Sequence, residues 1–344
     1  MIQLPSRNIG LELVRVTEST ALTAGRWIGS GDHKGTHLAA SAAMFAALNE
    51  IPMSGTIVVA EEKRLGIESP LARGVIVGTG DGAAVDIVVD PIDGTRLVIN
   101  GFSGGLSLIG AAPRGTLWSP PSAAVYMNKI VVDRDVAPAL VADCMDAPAA
   151  WTLALVARIK GKAIRDLAVS VLERPRHKAL IAEIRATGAR ILLRAEGDVK
   201  GAVVAAIPNT DIDILMGIGS VSGGVLAACA VKALGGAMLG RLAPQSQEEF
   251  DAVQAAGLDV RRILTHDDMV KADNIFFAAT GITDSSLLPA VKYLGRMQET
   301  HSLLVRSATR TRRFIHAEHF IGDDAVARVG GSAAADAAAG QASG

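Results

Sequence analysis

Aromatic residues make up only 3% of this 344-residue chain. That leaves too few rings for the stacking platforms on which single-stranded nucleic acids lie. An excess of one charge is also lacking: 34 Lys+Arg stand against 35 Asp+Glu, a net charge of −1. No electrostatic case for nucleic acid or an anionic membrane surface follows, and neither is expected as a partner. Cysteine is nearly absent. Cys144 and Cys229 lie far apart in Ala-rich surroundings, which excludes a disulfide framework and reads as two reduced, buried thiols of a cytosolic protein. The opening MIQLPSRN lacks the basic-then-apolar order of a signal peptide. No uncharged apolar stretch of about 18 residues with membrane flanks stands out either. The apolar run 216–231 is rich in glycine and fits a buried loop and helix. A cytoplasmic location is the expectation.

Hydrophobic residues are plentiful at 49%, enough for a sizeable core and for two domains or one large one. Apolar positions at helical spacing predict a first helix over 8–28, and an Ala-rich second helix follows at 38–49. Short β-branched runs predict strands at 56–60, 75–77, 84–89, 106–109 and 123–127. After an Asp-, Ala- and Pro-rich stretch at 132–151, which reads as a linker, helices are expected at 151–160, 176–187 and 199–206. Strands are expected at 167–172, 189–193 and 212–216. Gly219 to Gly224 reads as a glycine-rich turn into a helix at 225–234. Alternating strands and helices indicate an α/β fold. The division expected is an N-terminal α/β domain at 1–135, a C-terminal α/β domain at 150–320 and a disordered Gly/Ala/Ser tail at 330–344.

The stretch that carries chemistry is 85–95, where an apolar strand ends in Asp90-Pro91-Ile92-Asp93-Gly94-Thr95. Pro91 interrupts regular pairing, and Gly94 allows a close backbone approach. Two carboxylates at the mouth of a sheet are hard oxygen donors suited to Mg²⁺ or Mn²⁺. The same residues also fit a plain Asx-type turn in which Asp93 caps a helix. Glu61 likewise follows a strand, so it could converge with Asp90, although Glu61-Glu62-Lys63-Arg64 also reads as a solvated turn. Arg174-Pro175-Arg176-His177 after a strand places planar cations where a phosphate could be held.

The string D-P-I-D-G-T resembles the signature of the metal-dependent, lithium-sensitive sugar and inositol phosphatases. Other stretches narrow the likeness: Arg7 to Glu18, Gly31-Asp32, Val77-Gly78-Thr79-Gly80, Arg174 to His177, Met216 to Gly219 and Asn274 to Gly281. Together, from about 6 to about 316, they resemble the class II, GlpX-type fructose-1,6-bisphosphatases. The resemblance implies a layered α-β-α-β-α sandwich with the site between two domains, and hydrolysis of the 1-phosphate of fructose 1,6-bisphosphate in gluconeogenesis. It implies Mg²⁺ or Mn²⁺ held by Asp32, Glu61, Asp90 and Asp93, with Thr95 as partner of the attacking water. It also implies Tyr126, Arg174 and Arg176 on the distal phosphate, and Glu196 and Asp198 on sugar hydroxyls. A homo-oligomer, dimer or tetramer, is expected.

The chain departs from that pattern at several acids. The family's E-G-E-x-D becomes the stretch Glu61 to Glu68 here, with Arg64 or Ile67 where its last Asp is expected, its Pro-Glu-Gly turn becomes Ser222-Gly223-Gly224, and Asn128 stands for an acid. His33 and His37 appear after Asp32 where the family has a further Asp. Glu62 or Glu68 could swing into the vacated place, and Glu62 is assigned beside Thr95 as catalytic. His33 and His37, four apart, read either as part of a polar loop or as ligands of a softer metal. Losing carboxylates thins a cation site. The alternative function is therefore a catalytically impaired sugar-phosphate binder with a regulatory role.

Overall fold

A computed structural model of the chain describes residues 9–59 and 69–320. The first helix, α1 (Ile9–Gly25), and the second, α2 (His33–Leu48), cover one face of an eight-stranded sheet. α2 begins five residues earlier than its Ala-rich stretch suggests, because Asp32 caps it: Asp32 Oδ1 accepts the Gly35 N–H at 2.9 Å. The sheet contains β1 (Met53–Val59), β2 (Ile76–Val77), β3 (Ala83–Asp93) and β4 (Leu106–Pro113). It is completed by β11 (Phe276–Gly281), β12 (Lys292–Leu294), β13 (Met297–Arg306) and β14 (Thr311–Phe320). Its order is β12-β13-β11-β4-β3-β1-β2, with β14 paired to β13.

The second sheet runs β10-β9-β5-β8-β6-β7. These strands are β5 (Tyr126–Val132), β6 (Ala168–Leu172), β7 (Arg190–Arg194), β8 (Ile214–Ser220), β9 (Ala237–Leu242) and β10 (Ile263–Thr265). Helices α4 (Ala149–Lys160) and α5 (Lys178–Ala186) pack on its outer face. Between the two sheets lie α6 (Asp198–Ala205) and α7 (Val221–Leu234). The result is the α-β-α-β-α layering that the resemblance implied.

The central position of α7 explains its sequence. It contacts β3, β4, β11 and β13 on one side and β5, β8 and β9 on the other. A helix enclosed on nearly all sides has no need of a polar stripe, so VSGGVLAACAVKAL is apolar apart from Ser222 and Lys232. Close approach is built in: a methyl at Gly110 of β4 would meet Val88 at 2.9 Å and Cys229 at 3.2 Å. Cys144 and Cys229 are both free and buried, and burial pushes the Cys229 thiol up to about 12.

Three expectations need correcting. Gly219 to Gly224 is not a turn: β8 runs to Ser220, whose hydroxyl accepts the Gly223 N–H at 3.0 Å and starts α7 at Val221. The stretch 132–151 is ordered, with two short 3-10 turns and with Val136, Cys144 and Met145 in the core. The sheets also do not follow the split at 135 and 150, because β5 belongs to the second sheet and residues 276–320 return to the first. The expected tail at 330–344 lies outside the described residues.

Candidate active site

β3 is buried along nearly its whole length, as a central strand between helical layers must be. Its pairing with β4 slips near the end: Asp90 pairs with Leu108 and Asp93 with Leu106, so β3 carries one extra residue. Pro91 has no N–H to give a ladder, and a bulge is the usual answer. The bulge turns both carboxylates toward one cleft. Asp90 Oδ1 accepts the Ile92 N–H at 3.1 Å, and Asp93 Oδ2 accepts the Lys200 N–H at 3.2 Å. Gly94 follows at φ +89°, a left-handed conformation suited to glycine, and opens the short helix α3 (Thr95–Ile99). Thr95 Oγ1 donates to Ile92 O at 3.2 Å.

The opposite wall comes from the second sheet. The cleft, about 160 Å³, is lined by Asp90, Asp93 and Thr95 on one side and by Tyr126, Arg174, Arg176, Glu196 and Asp198 on the other. Arg176 donates from Nε and a terminal nitrogen to Ile218 O at 3.3 and 3.0 Å, and its guanidinium sits 5.0 Å from the centre of the Tyr126 ring. Glu196 ties the two walls together. It accepts the Arg96 N–H at 2.9 Å and lies 3.8 Å from the Arg174 guanidinium. Asp198 forms a close ion pair with Lys129.

Asp32 is placed differently from Asp90 and Asp93. It is exposed, caps α2 and is not among the lining residues, whereas its neighbour His33 is. His33 and His37 both lie in α2, not in a loop, and His37 is buried. Glu61, Glu62, Arg64 and Glu68 lie outside the described residues. Gly223 sits in the first turn of α7, where a methyl would meet Ser220 Oγ at 2.8 Å and Asp198 Oδ1 at 3.3 Å.

Three further residues shape the site and had no individual role assigned from sequence. Lys129 is buried beside Met127 and Val131 on the same face of β5. A lysine at every-other spacing with apolar residues was the available signal, since it demands a buried anion. Lys200 is buried beneath Asp93, and burial pushes its ammonium down to about 8, with Arg194 adding to the shift and Asp93 opposing it. His177 accepts the Ile218 N–H on Nε2 at 2.7 Å, and its Nδ1 lies 2.6 Å from Leu172 O, which fixes a neutral ring with the proton on Nδ1. Burial holds its pKa below the usual histidine range. The ring thereby anchors the Arg174–Arg176 turn against β8.

The donor set suits a hard divalent cation. Asp90 and Asp93 offer carboxylate oxygens at a bulge, with no thiol or thioether among the lining residues. No described helix is long and apolar enough to cross a membrane.

Residues 7–319 match the family described as bacterial fructose-1,6-bisphosphatase, glpX-encoded. A class 2 fructose-1,6-bisphosphatase of Haemophilus influenzae is 37% identical over 332 residues, covering 92% of this chain and 98% of the relative. A fructose-1,6-bisphosphatase 1 class 2 of Escherichia coli K12 is 35% identical over 329 residues, covering 92% and 96%. The alternative of an impaired binder gains no support over the hydrolase reading from these likenesses. With the match spanning nearly the whole chain and both walls of the cleft, this protein belongs to the GlpX-type, class II fructose-1,6-bisphosphatase family.

Proposed function

We propose that the chain is a phosphoric monoester hydrolase that removes the 1-phosphate of fructose 1,6-bisphosphate. The observation that carries this reading is one cleft with the Asp90–Asp93–Thr95 bulge on one wall and Tyr126, Arg174 and Arg176 on the other. Asp90 and Asp93, joined by Asp32 and Glu61, would hold Mg²⁺ or Mn²⁺. Such an ion, when bound, lowers the pKa of water and neutralises phosphoryl charge. Thr95 gives its proton to Ile92 O, so its oxygen presents lone pairs that can orient a water. Glu62 is the acid assigned beside it. Arg174 and Arg176 supply fixed positive charge for the distal phosphate, and the Tyr126 ring, 5.0 Å from the Arg176 guanidinium, helps to position its planar fork. Glu196 and Asp198 accept hydrogen bonds from sugar hydroxyls. A cytoplasmic homo-oligomer, dimer or tetramer, is part of the same proposal.

The test is phosphate release from fructose 1,6-bisphosphate by the purified chain with Mg²⁺ or Mn²⁺. Turnover should vanish on chelation and fall at least about a thousandfold in Asp90→Ala, since two-metal chemistry does not survive loss of either cation. Equal turnover by Asp90→Ala in a folded protein would overturn the assignment.

A further inference from the structure

We infer that the outer face of the β13–β14 hairpin is a second metal site, selective for a divalent transition ion such as Zn²⁺ and separate from the catalytic cleft. β13 carries Glu299-Thr300-His301, and β14 carries His316-Ala317-Glu318, the same spacing in reverse. The antiparallel register sets Glu299 opposite Glu318 and His301 opposite His316. Residues directly opposite share a face, as do residues two apart on one strand. All four side chains therefore form a square on one face. The other face is committed elsewhere: Thr300 bonds to Glu18 and His319, toward α1.

Ligand atoms of Glu299, His316 and Glu318 lie within 4.8 Å of one another. Imidazole nitrogen and carboxylate oxygen are both Zn²⁺ ligands, and water can complete the shell of a three-ligand site. The imidazole discriminates against Mg²⁺, which prefers oxygen throughout. His301 stacks on His316 with ring centres 4.7 Å apart and planes within 5°, which holds the ligating ring in place. Two glutamates set directly opposite repel, and at present Glu299 is offset by Lys292, 2.7 Å away on β12. A bound dication would neutralise both carboxylates and release Lys292. Because its ligands come from both strands, the ion would pin the edge strand β14 to the sheet.

The test is calorimetry with ZnCl₂ and with MgCl₂ on the full chain stripped by chelator, in an Asp90→Ala background that weakens metal binding in the cleft. One equivalent of Zn²⁺ is expected to bind and to raise the melting temperature. Affinity should fall at least tenfold in His316→Ala and in Glu318→Gln, rise severalfold in Lys292→Met, and resist a hundredfold excess of Mg²⁺. Unchanged Zn²⁺ affinity in both His316→Ala and Glu318→Gln, or ready displacement by Mg²⁺, would overturn the site. Phosphatase activity is not read in these measurements, so the result stands apart from the assignment of the cleft.

Discussion

Asp198 lies so close to the backbone of Gly219 that a methyl there would sit 1.8 Å from Asp198 Oδ2 and 2.7 Å from Lys129 Nζ. The ion pair joining α6 to β5 thus depends on the absence of a side chain on β8. Gly219→Ala should push Asp198 away and leave Lys129 buried with a poor partner. Breaking a buried pair costs ~3–5 kcal/mol. Denaturant unfolding should show a loss of that order, together with lost turnover. A variant with wild-type stability would mean that Asp198 can move without cost.

Arg176 is held by Ile218 O and by the Tyr126 ring. Arg176→Ala should raise KM about tenfold to a hundredfold, with a smaller change in kcat, because it removes binding made before and during the chemical step. Arg176→Lys should not restore KM, since an ammonium lacks the planar fork. Steady-state kinetics on both variants read this directly.

Lys200 has a native pKa of about 8, against 10.5 unperturbed. Between those values the unfolded chain binds more protons than the folded one, so stability rises with pH across that window. The cost of charging Lys200 in its buried place is fully present below about 8 and is relieved as pH rises to 10.5. It amounts to about 3 kcal/mol at 1.36 kcal/mol per unit. Lys200→Met should flatten that rise in unfolding free energy between pH 8 and 10.5. An identical slope in wild type and variant would show that the ammonium is not desolvated.

Lys160 joins two buried acids, lying 2.6 Å from Asp133 and 3.1 Å from Asp213. Burial opposes the charge on Lys160, yet the two carboxylates hold its pKa above the usual lysine value. Asp213 has further support from Lys162 at 2.7 Å and the Ala168 N–H at 2.9 Å, whereas Asp133 relies on Lys160 and on backbone donors. Lys160→Met should destabilise by ~3–5 kcal/mol, as removal of one partner from a buried pair does. Thermal unfolding at pH 7 measures it.

What could be read from the chain was mostly local. The carboxylate turn at 90–95 and the cations at 174–176 each sit within a few residues of a strand end, so their chemistry is written in adjacent letters. The joining of the walls was not legible. Lys129 and Asp198 are 69 positions apart, and Arg96 and Glu196 are 100 apart. Their meeting depends on how the two sheets stack. The start of α7 was misread because glycines at 219, 223 and 224 look like a turn, whereas each lets a neighbour approach. A helix buried on nearly every side also lacks the 3.6-residue stripe that would have marked its first turn. At Asp32 the described geometry shows a helix cap made through Oδ1, a local role that its sequence neighbours do not reveal.

The return of residues 276–320 to the first sheet has a consequence for how the molecule is made. β4 bonds to β3 on one side and on the other to β11, which begins more than 160 residues later. During vectorial synthesis, the free edge of β4 must wait while the entire second sheet is translated. Loop closure over such a span precedes any reward from its contacts, which slows folding. The Ser107, Leu108 and Ile109 edge that later backs the cleft is therefore a sticky surface of the nascent chain, guarded only when the last strands arrive.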